Sequence, residues 1–176
     1  HRGEKMNRKA DRQFYTRQGG DFSRIIRKGN SPADYTWEVT DKQGIKYIYG
    51  GEGAVLKGTI TDASGQSREV ITEWKLKRVE ETHGDYIEYV YETADEPVRG
   101  GLVAKAIYLK EVRAGNSGQA PHTVVVLEGS KQKRLKNNNA RYGFLTSSNR
   151  LLEKLTVHFQ GSTLRSYAFT YSEGAF

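Results

Sequence analysis

The chain has 176 residues, with 28 Lys and Arg against 21 Asp and Glu, a formal net charge of +7 and no cysteine. This length allows one domain with a core that needs no disulfides, and the lack of thiols excludes disulfides, a cysteine nucleophile and cysteine-based metal sites. No segment approaches the roughly 18–20 consecutive apolar residues of a membrane-spanning helix.

The two ends of the sequence suggest a piece of a longer protein. The chain begins at His1 with a charged segment that lacks the apolar stretch of a secretory signal peptide, and it stops at Phe176 without a tail. We therefore predict a single β-rich domain over residues 1–176, a fragment of a larger protein, with residues 1–12 as a flexible arm.

Alternating apolar and polar residues predict the first strands. Two such runs, one containing Trp37 and one containing Tyr47, flank the segment Asp41–Gly44. An Asp-x-x-Gly segment favours a tight turn, because Asp accepts backbone hydrogen bonds and Gly adopts positive φ angles. The pattern therefore predicts a hairpin with Gly44 as its turn residue.

The middle of the chain repeats this arrangement. Asp62–Gly65 predicts a second turn of the same kind, and the alternating run that follows contains Trp74. The segment Thr82–Asp85, with Gly84, predicts a turn between that run and the run containing Tyr89. Because neighbouring strands in sequence usually pair in space, we predict an antiparallel meander.

The second half of the chain is less regular. Residues 102–112 have apolar side chains on both parities, which is typical of a strand covered on both faces. Residues 114–121 and 129–140 are small or polar and are predicted to be loops. Ser147–Leu155 favours a short helix and the start of a strand about equally, and alternation then predicts final strands containing Phe159 and Phe169.

These patterns predict an all-β fold, an antiparallel meander of hairpins that forms a curved sheet with little or no helix. The residues that we predict to matter are structural. The core anchors are Trp37, Tyr47, Trp74, Tyr89, Phe159 and Phe169, and the turn residues are Gly44, Gly65 and Gly84.

The sequence gives no strong signal for catalysis, a metal or a cofactor. His1, His83, His122 and His158 have no metal-ligand spacing, and Gly50–Gly53 is not followed by the helix that a phosphate loop requires. Two carboxylates on neighbouring strands, Glu73 and Glu88, form the best pair for glycoside hydrolysis, but their parity opposite the aromatic rings favours solvent exposure. No nucleophile elbow is present, so we predict no enzyme activity, no cofactor and no metal.

Two basic clusters raise the alternative of nucleic-acid binding. One lies within residues 2–28 and the other is Lys131–Lys136. The charge excess is modest, so solvated surface is the favoured interpretation. A second alternative is a surface module that binds carbohydrate or protein, for which we expect a row of solvent-facing Tyr and Trp side chains.

Three segments resemble a known family. They are FYTRQGGDFSRIIRKGNSPADYTWEVTDKQGIKYIYGG (Phe14–Gly51), EWKLKRVEETHGDYIEYVYE (Glu73–Glu92) and ARYGFLTSSNRLLEKLTVHFQGSTLRSYAFTYSEGAF (Ala140–Phe176). They are similar to the N-terminal region shared by SpvB/TcaC proteins, the B components of toxin complexes, and related Rhs (YD-repeat) proteins. The middle segment departs from the Rhs pattern, because Gly84-Asp85 stands where Gly-Asn is usual and no full tandem repeat follows.

The resemblance implies a function that composition alone does not indicate. Members of the family are large secreted or surface-associated bacterial proteins, and in the toxin-complex branch this sequence contributes β-sheet to a hollow shell around a toxic polypeptide. In the SpvB branch a separate ADP-ribosyltransferase domain, absent here, carries the enzyme activity. The resemblance therefore implies a non-catalytic structural role in virulence. It implies as partners the remaining domains of the same protein or another toxin-complex subunit.

Overall fold

In this computed structural model the described residues are 6–10, 12–16, 23–131 and 137–172, and they contain β-strands but no helix. The strands are β1 (Met6–Ala10), β2 (Gln13–Thr16), β3 (Arg24–Lys28), β4 (Thr36–Thr40), β5 (Lys46–Tyr49), β6 (Val55–Thr61), β7 (Ser67–Trp74), β8 (Leu76–Glu80), β9 (Asp85–Val98), β10 (Leu102–Asn116), β11 (Thr123–Glu128), β12 (Asn138–Asn139), β13 (Thr146–Ser147), β14 (Lys154–Phe159) and β15 (Ser162–Ala168). The predicted all-β class is confirmed. A search of the described residues finds no apolar helix of membrane-spanning length.

Most strands belong to one open antiparallel sheet. Its order is β1-β2-β3-β4-β5-β8-β9-β10-β11-β14-β15, so the chain crosses the sheet as the predicted meander. Two segments leave this path: β6 and β7 form a separate two-stranded sheet, and the short pair β12–β13 attaches to β10. The attachment of β13 is parallel, with Lys105 opposite Thr146, and is an exception to the antiparallel pattern.

Asp-x-x-Gly segments close two of the hairpins. The Asp41 carboxylate accepts hydrogen bonds from the backbone N–H groups of Gln43 and Ile45, at 2.9 and 3.0 Å. Asp62 accepts the same pair of bonds in the β6–β7 turn. Gly44 and Gly65 follow with φ of 85° and 84°, a region that side chains with a Cβ rarely adopt. The local sequence therefore sets where each hairpin reverses.

The run around Trp74, predicted as one strand, is divided between two sheets. Trp74 ends β7, and β8 begins at Leu76. Between them, the backbone of Lys75 bonds to the segment that connects β5 to β6. Its N–H donates to the carbonyl of Ala54, and its carbonyl accepts from the N–H of Gly50, both at 2.9 Å. The turn at Gly84 therefore joins β8, rather than the Trp74 strand, to β9.

Trp74 connects the β6–β7 hairpin to the main sheet. Its ring lies edge-on to Trp37 of β4, with the ring centroids 6.2 Å apart. Its indole N–H donates to the Tyr35 carbonyl at 2.6 Å. A Cβ at Gly50 would lie 2.5 Å from the Trp74 ring, so only glycine allows this approach.

The tightly packed part of the fold lies where the hairpin meets β10. Val55, Leu56 and Ile71 of the hairpin are buried, and Ala104 and Ala106 of β10 have no exposed surface. β6 packs against β10 over this region. The double cover predicted for residues 102–112 is only partly present, because Leu102 is 56% exposed at the end of the strand.

Several predicted local structures differ from the observed ones. Met6–Ala10, placed within the flexible arm, pairs with β2, whereas residues 1–5 lie outside the described part. Ala114–Asn116, placed in a loop, ends β10: all three residues pair with β9, and Ala114 pairs with β11 as well. Ser147–Leu155 contains no helix, because β13 and β14 occupy its two ends. Of the loop predicted at 129–140, residues 132–136 lie outside the described part.

Replacing Trp74 tests the junction between the two sheets. Trp74→Ala is expected to lower the free energy of unfolding by about 3 kcal/mol. This is at the low end of the losses seen when a large aromatic side chain is replaced with alanine, because Trp74 is only half-buried. Trp74→Phe retains a ring but removes the N–H donor, and about 1 kcal/mol is expected for it. Urea unfolding measures both changes, and a value near zero for Trp74→Ala would show that the ring contributes no packing energy.

Candidate functional site

Four of the six predicted core anchors are half-buried. Trp37 contacts Phe14 and Trp74 through edge-on ring pairs, with the centroids 5.3 and 6.2 Å apart. The Tyr47 hydroxyl donates to the Asp41 carboxylate at 3.3 Å. Tyr89, on β9, also keeps part of its surface exposed. The structure brings Trp37 and Trp74 together and places the other two farther along the sheet.

The prediction that Phe159 and Phe169 are core anchors is wrong. Their exposed fractions are 42% and 41%. Phe159 ends β14 and Phe169 follows β15, so both lie at the last two strands of the sheet. Alternation assigned them to one face of a strand, but it does not tell whether anything in the chain covers that face.

One face of the sheet is apolar across seven strands. Residues directly opposite each other in antiparallel strands share a face, so the register defines rows of side chains. One row, from β4 to β14, consists of Val39, Tyr47, Val79, Ile87, Ala114, Thr123 and Phe159. A second, from β9 to β14, consists of Tyr89, Val112, Val125 and Val157. At about 4.8 Å per strand, the first row spans about 29 Å.

This apolar face is incompletely covered by the described chain. Of the first row Val39 is buried, whereas Ile87 is 40% exposed. The second row is half-buried throughout. Exposed apolar area of this extent usually marks an interaction surface.

The last strand of the sheet is the most exposed element. All seven residues of β15 are exposed, including Leu164 at 61% and Tyr167 at 47%. Among the described strands, β15 pairs with β14 alone. Tyr167 lies opposite Leu155, which places it on the apolar face. We call β15 and the chain after it, to Tyr171, the open edge.

The opposite face of the sheet is charged on β8, β9 and β10, and the same row continues to Ile48 of β5 and Val124 of β11. Arg78, Glu88 and Arg113 lie opposite one another on β8, β9 and β10. Arg78 pairs with Glu80 at 2.7 Å, and its guanidinium lies 3.9 Å from the centre of the Tyr86 ring. Over these three strands the sheet is therefore amphipathic, with one face suited to solvent and one suited to packing.

A buried carboxylate holds the chain after β13 against the main sheet. Glu96 of β9 is 4% exposed and accepts hydrogen bonds from the Tyr108 hydroxyl at 2.9 Å, the Ser147 hydroxyl at 2.6 Å and the Arg150 Nε at 3.0 Å. Arg150 also bonds to Glu92 at 2.5 Å and lies 4.7 Å from the centre of the Tyr108 ring. We call these five residues the polar clamp.

The polar clamp keeps Glu96 ionised. Burial raises the pKa of Glu96, but the hydrogen bonds from Ser147, Tyr108 and Arg150 together outweigh burial and hold the pKa below its usual value. Burial and the hydrogen bond to Glu96 raise the pKa of Tyr108, so its hydroxyl stays protonated as a donor. Each group therefore has the protonation state that the network requires.

The residues considered for catalysis or metal binding do not converge. Glu73 pairs with Lys75 at 2.5 Å in the hairpin, whereas Glu88 lies 3.7 Å from Arg113 in the main sheet. His83 lies in the turn before β9. In the described ranges, no three His, Asp or Glu side chains form a group able to hold a metal ion. Residues 132–136 of the second basic cluster, and Arg2, Lys5 and Arg17 of the N-terminal one, lie outside the described part.

Sequence reasoning missed the polar clamp. Glu96, Tyr108 and Arg150 are far apart in sequence, and nothing in their local patterns marks them. The available signal was the mixed parity of residues 102–112, which indicates a second contact surface but does not identify the polar partners.

One family model matches most of the chain. The family model for SpvB, the Salmonella virulence plasmid 65kDa B protein, matches residues 3–136. No curated protein sequence matches the chain.

Among solved structures, the N-terminal domain of the effector protein SpvB from Salmonella typhimurium strain LT2 is similar, with a TM-score of 0.60 and 16% identity over 90% of this chain and 69% of that chain. TcdB2-TccC3 gives 0.59 and 14% over 84% of this chain and 9% of that chain. The Photorhabdus luminescens Tc holotoxin pore gives 0.57 and 17%, with coverages of 84% and 8%. At these identities the likeness shows a shared fold, and the chain spans less than a tenth of the two larger chains.

Replacing Glu96 tests the polar clamp. Glu96→Gln is expected to lower the free energy of unfolding by about 2–4 kcal/mol at neutral pH, because it removes the buried charge to which three half-buried donors bond. The pKa of Glu96 is lower in the folded state, so this stability is fully present above the usual value of 4.5 and is lost as the pH falls through the lowered value. Urea unfolding of both proteins across that pH range measures it.

Glu128→Gln is the matched control. Glu128 pairs with Lys154 at 3.1 Å, but both side chains are about half exposed, so a loss below about 1 kcal/mol is expected. Equal losses for the two variants, or a Glu96→Gln loss that does not change with pH, would contradict the role of the buried charge.

Proposed function

The chain belongs to the SpvB family, and we propose from this that it is a non-catalytic structural segment of a large secreted protein of the toxin-complex type. Its role is to form part of the wall of a shell or scaffold around a toxin. The other domains of the same protein, or another toxin-complex subunit, are the proposed partners.

The observation that carries this proposal is the open edge. An edge strand presents unpaired backbone N–H and C=O groups, and soluble proteins usually protect such strands with charge, proline or a cover. In β15 a single basic residue, Arg165, stands among Ser, Thr, Leu, Tyr and Ala, and no proline is present. Such a strand suits continued pairing with a neighbouring strand.

The amphipathic sheet supports the same role. A wall needs one face that tolerates solvent and one that packs against other parts of the assembly. The rows of charged and apolar side chains provide these two faces, and the apolar face continues onto the open edge at Tyr167. Glu73 pairs with Lys75 and Glu88 pairs with Arg113, so the two acids do not form a catalytic pair with each other.

Hydrogen exchange tests whether the open edge is covered in the full-length protein. The β15 amides are expected to exchange at least about tenfold more slowly in the full-length protein than in the isolated chain, because added strand pairing protects them. The amides of residues 111–114 in β10, which pair with both β9 and β11 in the isolated chain, are the internal control and should change little. Fast exchange of β15 in both proteins would contradict the proposal.

A second candidate function is a surface that binds carbohydrate. The observation that favours it is a row of exposed aromatic side chains at alternating positions, Tyr167, Phe169 and Tyr171, which are 41–47% exposed. The Tyr171 hydroxyl already donates to the Leu152 carbonyl at 2.6 Å, which leaves fewer polar groups to recognise a sugar. We therefore place this function second.

A glycan array separates the two functions. Saturable binding that is lost in Tyr167→Ser would support the carbohydrate surface, since sugar rings stack on exposed aromatic faces. If the role is structural, neither the unmodified chain nor Tyr167→Ser should show saturable binding. Arg165→Ser, on the same strand, is the control for a general effect of altering the edge.

A further inference from the structure

A groove separates the β6–β7 hairpin from the outer half of β9 and β10. We call it the hairpin groove, and its volume is about 650 Å³. This is within the range of roughly 300–1,000 Å³ that ligand sites occupy. The apolar residues that line it are Val55, Leu56 and Ile71 of the hairpin and Ala94 and Ala106 of the main sheet, and all of these except Ala94 are buried.

One side of this groove is another free strand edge, away from the two ends of the sheet. β8 pairs with β9 only from Tyr86 to Glu88. From residue 89 to residue 98, β9 pairs with β10, but no described strand pairs with its other side. Thr93, Ala94 and Asp95, which belong to this free stretch, line the groove. The hairpin lies nearby but forms its own sheet, so it does not occupy the edge.

The charged side chains of the groove have a net negative charge in a chain whose net charge is positive. The lining includes four carboxylates, of Asp34, Glu52, Glu69 and Asp95, and two ammonium groups, of Lys57 and Lys105. The lysines already pair with Glu69 and Asp95, at 2.9 and 2.7 Å. Hydrogen bonds from the backbone N–H groups of Asn30 and Ser31 lower the pKa of Asp34, so it is ionised at neutral pH.

We propose that the hairpin groove binds an extended basic peptide segment of a partner protein, which adds as a strand to the free edge of β9. Added strands gain affinity from main-chain hydrogen bonds and specificity from alternate side chains. Alternation sends one set of side chains to the apolar surface at Val55 and Ile71. The other set, if it contains Lys or Arg, reaches the carboxylates of Asp34 and Glu52. This proposal is independent of the open edge at β15.

Short fluorescent peptides test the proposal on the intact chain. The probe alternates lysine with valine, and its counterpart alternates glutamate with valine. Fluorescence anisotropy should show binding of the lysine peptide at least about tenfold tighter than that of the glutamate peptide, with a difference that shrinks as salt screens the charges. Equal affinities, or no binding of either peptide, would overturn the proposal.

The chain offers a closely matched pair of variants. Asp95 and Lys105 form an exposed cross-strand ion pair in the groove, at 2.7 Å, and Glu128 and Lys154 form another outside it, at 3.1 Å. Asp95→Lys should weaken binding of the lysine peptide about tenfold, whereas Glu128→Lys, with the same change of charge, should alter it less than about twofold. Equal effects would show that only net charge matters and would contradict a site in the groove.

A backbone-modified probe tests the strand pairing itself. Methylating alternate backbone nitrogens of the lysine peptide removes hydrogen-bond donors without changing its charge, and methylation of the edge-facing set should weaken binding at least about tenfold. If both methylated sets bind as well as the parent peptide, pairing with β9 is excluded. Sedimentation of the chain alone tests whether a second copy of the chain occupies the groove instead. Self-association that Asp95→Lys abolishes would show this and would refute the basic-peptide proposal.

Discussion

Backbone hydrogen bonding in an open sheet is the constraint on which the structure depends. Each strand of a meander must be paired on both sides or leave an edge, and the described strands form an open sheet. Pairing across the sheet also aligns side chains in rows, so the alternation of each strand becomes one apolar and one charged face. The rows remain half-buried where nothing in the described chain lies over them. The exposed end of the sheet and the uncovered face therefore have the same physical origin.

Two segments depart from the meander, and different contacts hold each of them. The hairpin is attached by apolar packing, since Trp74 lies against Trp37 and over the backbone of Gly50. The chain after β13 is attached by the polar clamp, in which the buried charge of Glu96 has three donors. Apolar packing tolerates small shifts, whereas a buried carboxylate requires its partners at fixed positions. The clamp thus fixes where the chain turns back towards β14.

The sequence allowed the repeating local features to be predicted, but not the contacts between them. Period-two alternation indicated the strands, and Asp41 and Asp62 indicated turns because their hydrogen bonds join residues only two to four apart. The break at Lys75 could not be seen, because its backbone partners are Gly50 and Ala54 and alternation continues through it. Phe159 and Phe169 were misassigned for a related reason: alternation reports that a face is apolar, and burial depends on what lies against it. The polar clamp joins residues up to 58 positions apart, and no local rule connects them.

The distribution of burial favours a segment that relies on neighbours over one that is complete by itself. The fully buried side chains of the described residues gather mainly at the hairpin junction and around Ile25 and Val39, while the wide apolar face from Tyr47 to Val157 stays partly in solvent. A domain selected to stand alone would be expected to bury that face with a helix or a second sheet, because the area it leaves in water represents unused stabilisation. Charged side chains on the opposite face argue against burial there. The apolar face is therefore the one that packs against neighbouring structure. The distribution of apolar and charged side chains is therefore consistent with the proposed role as one wall of a larger assembly.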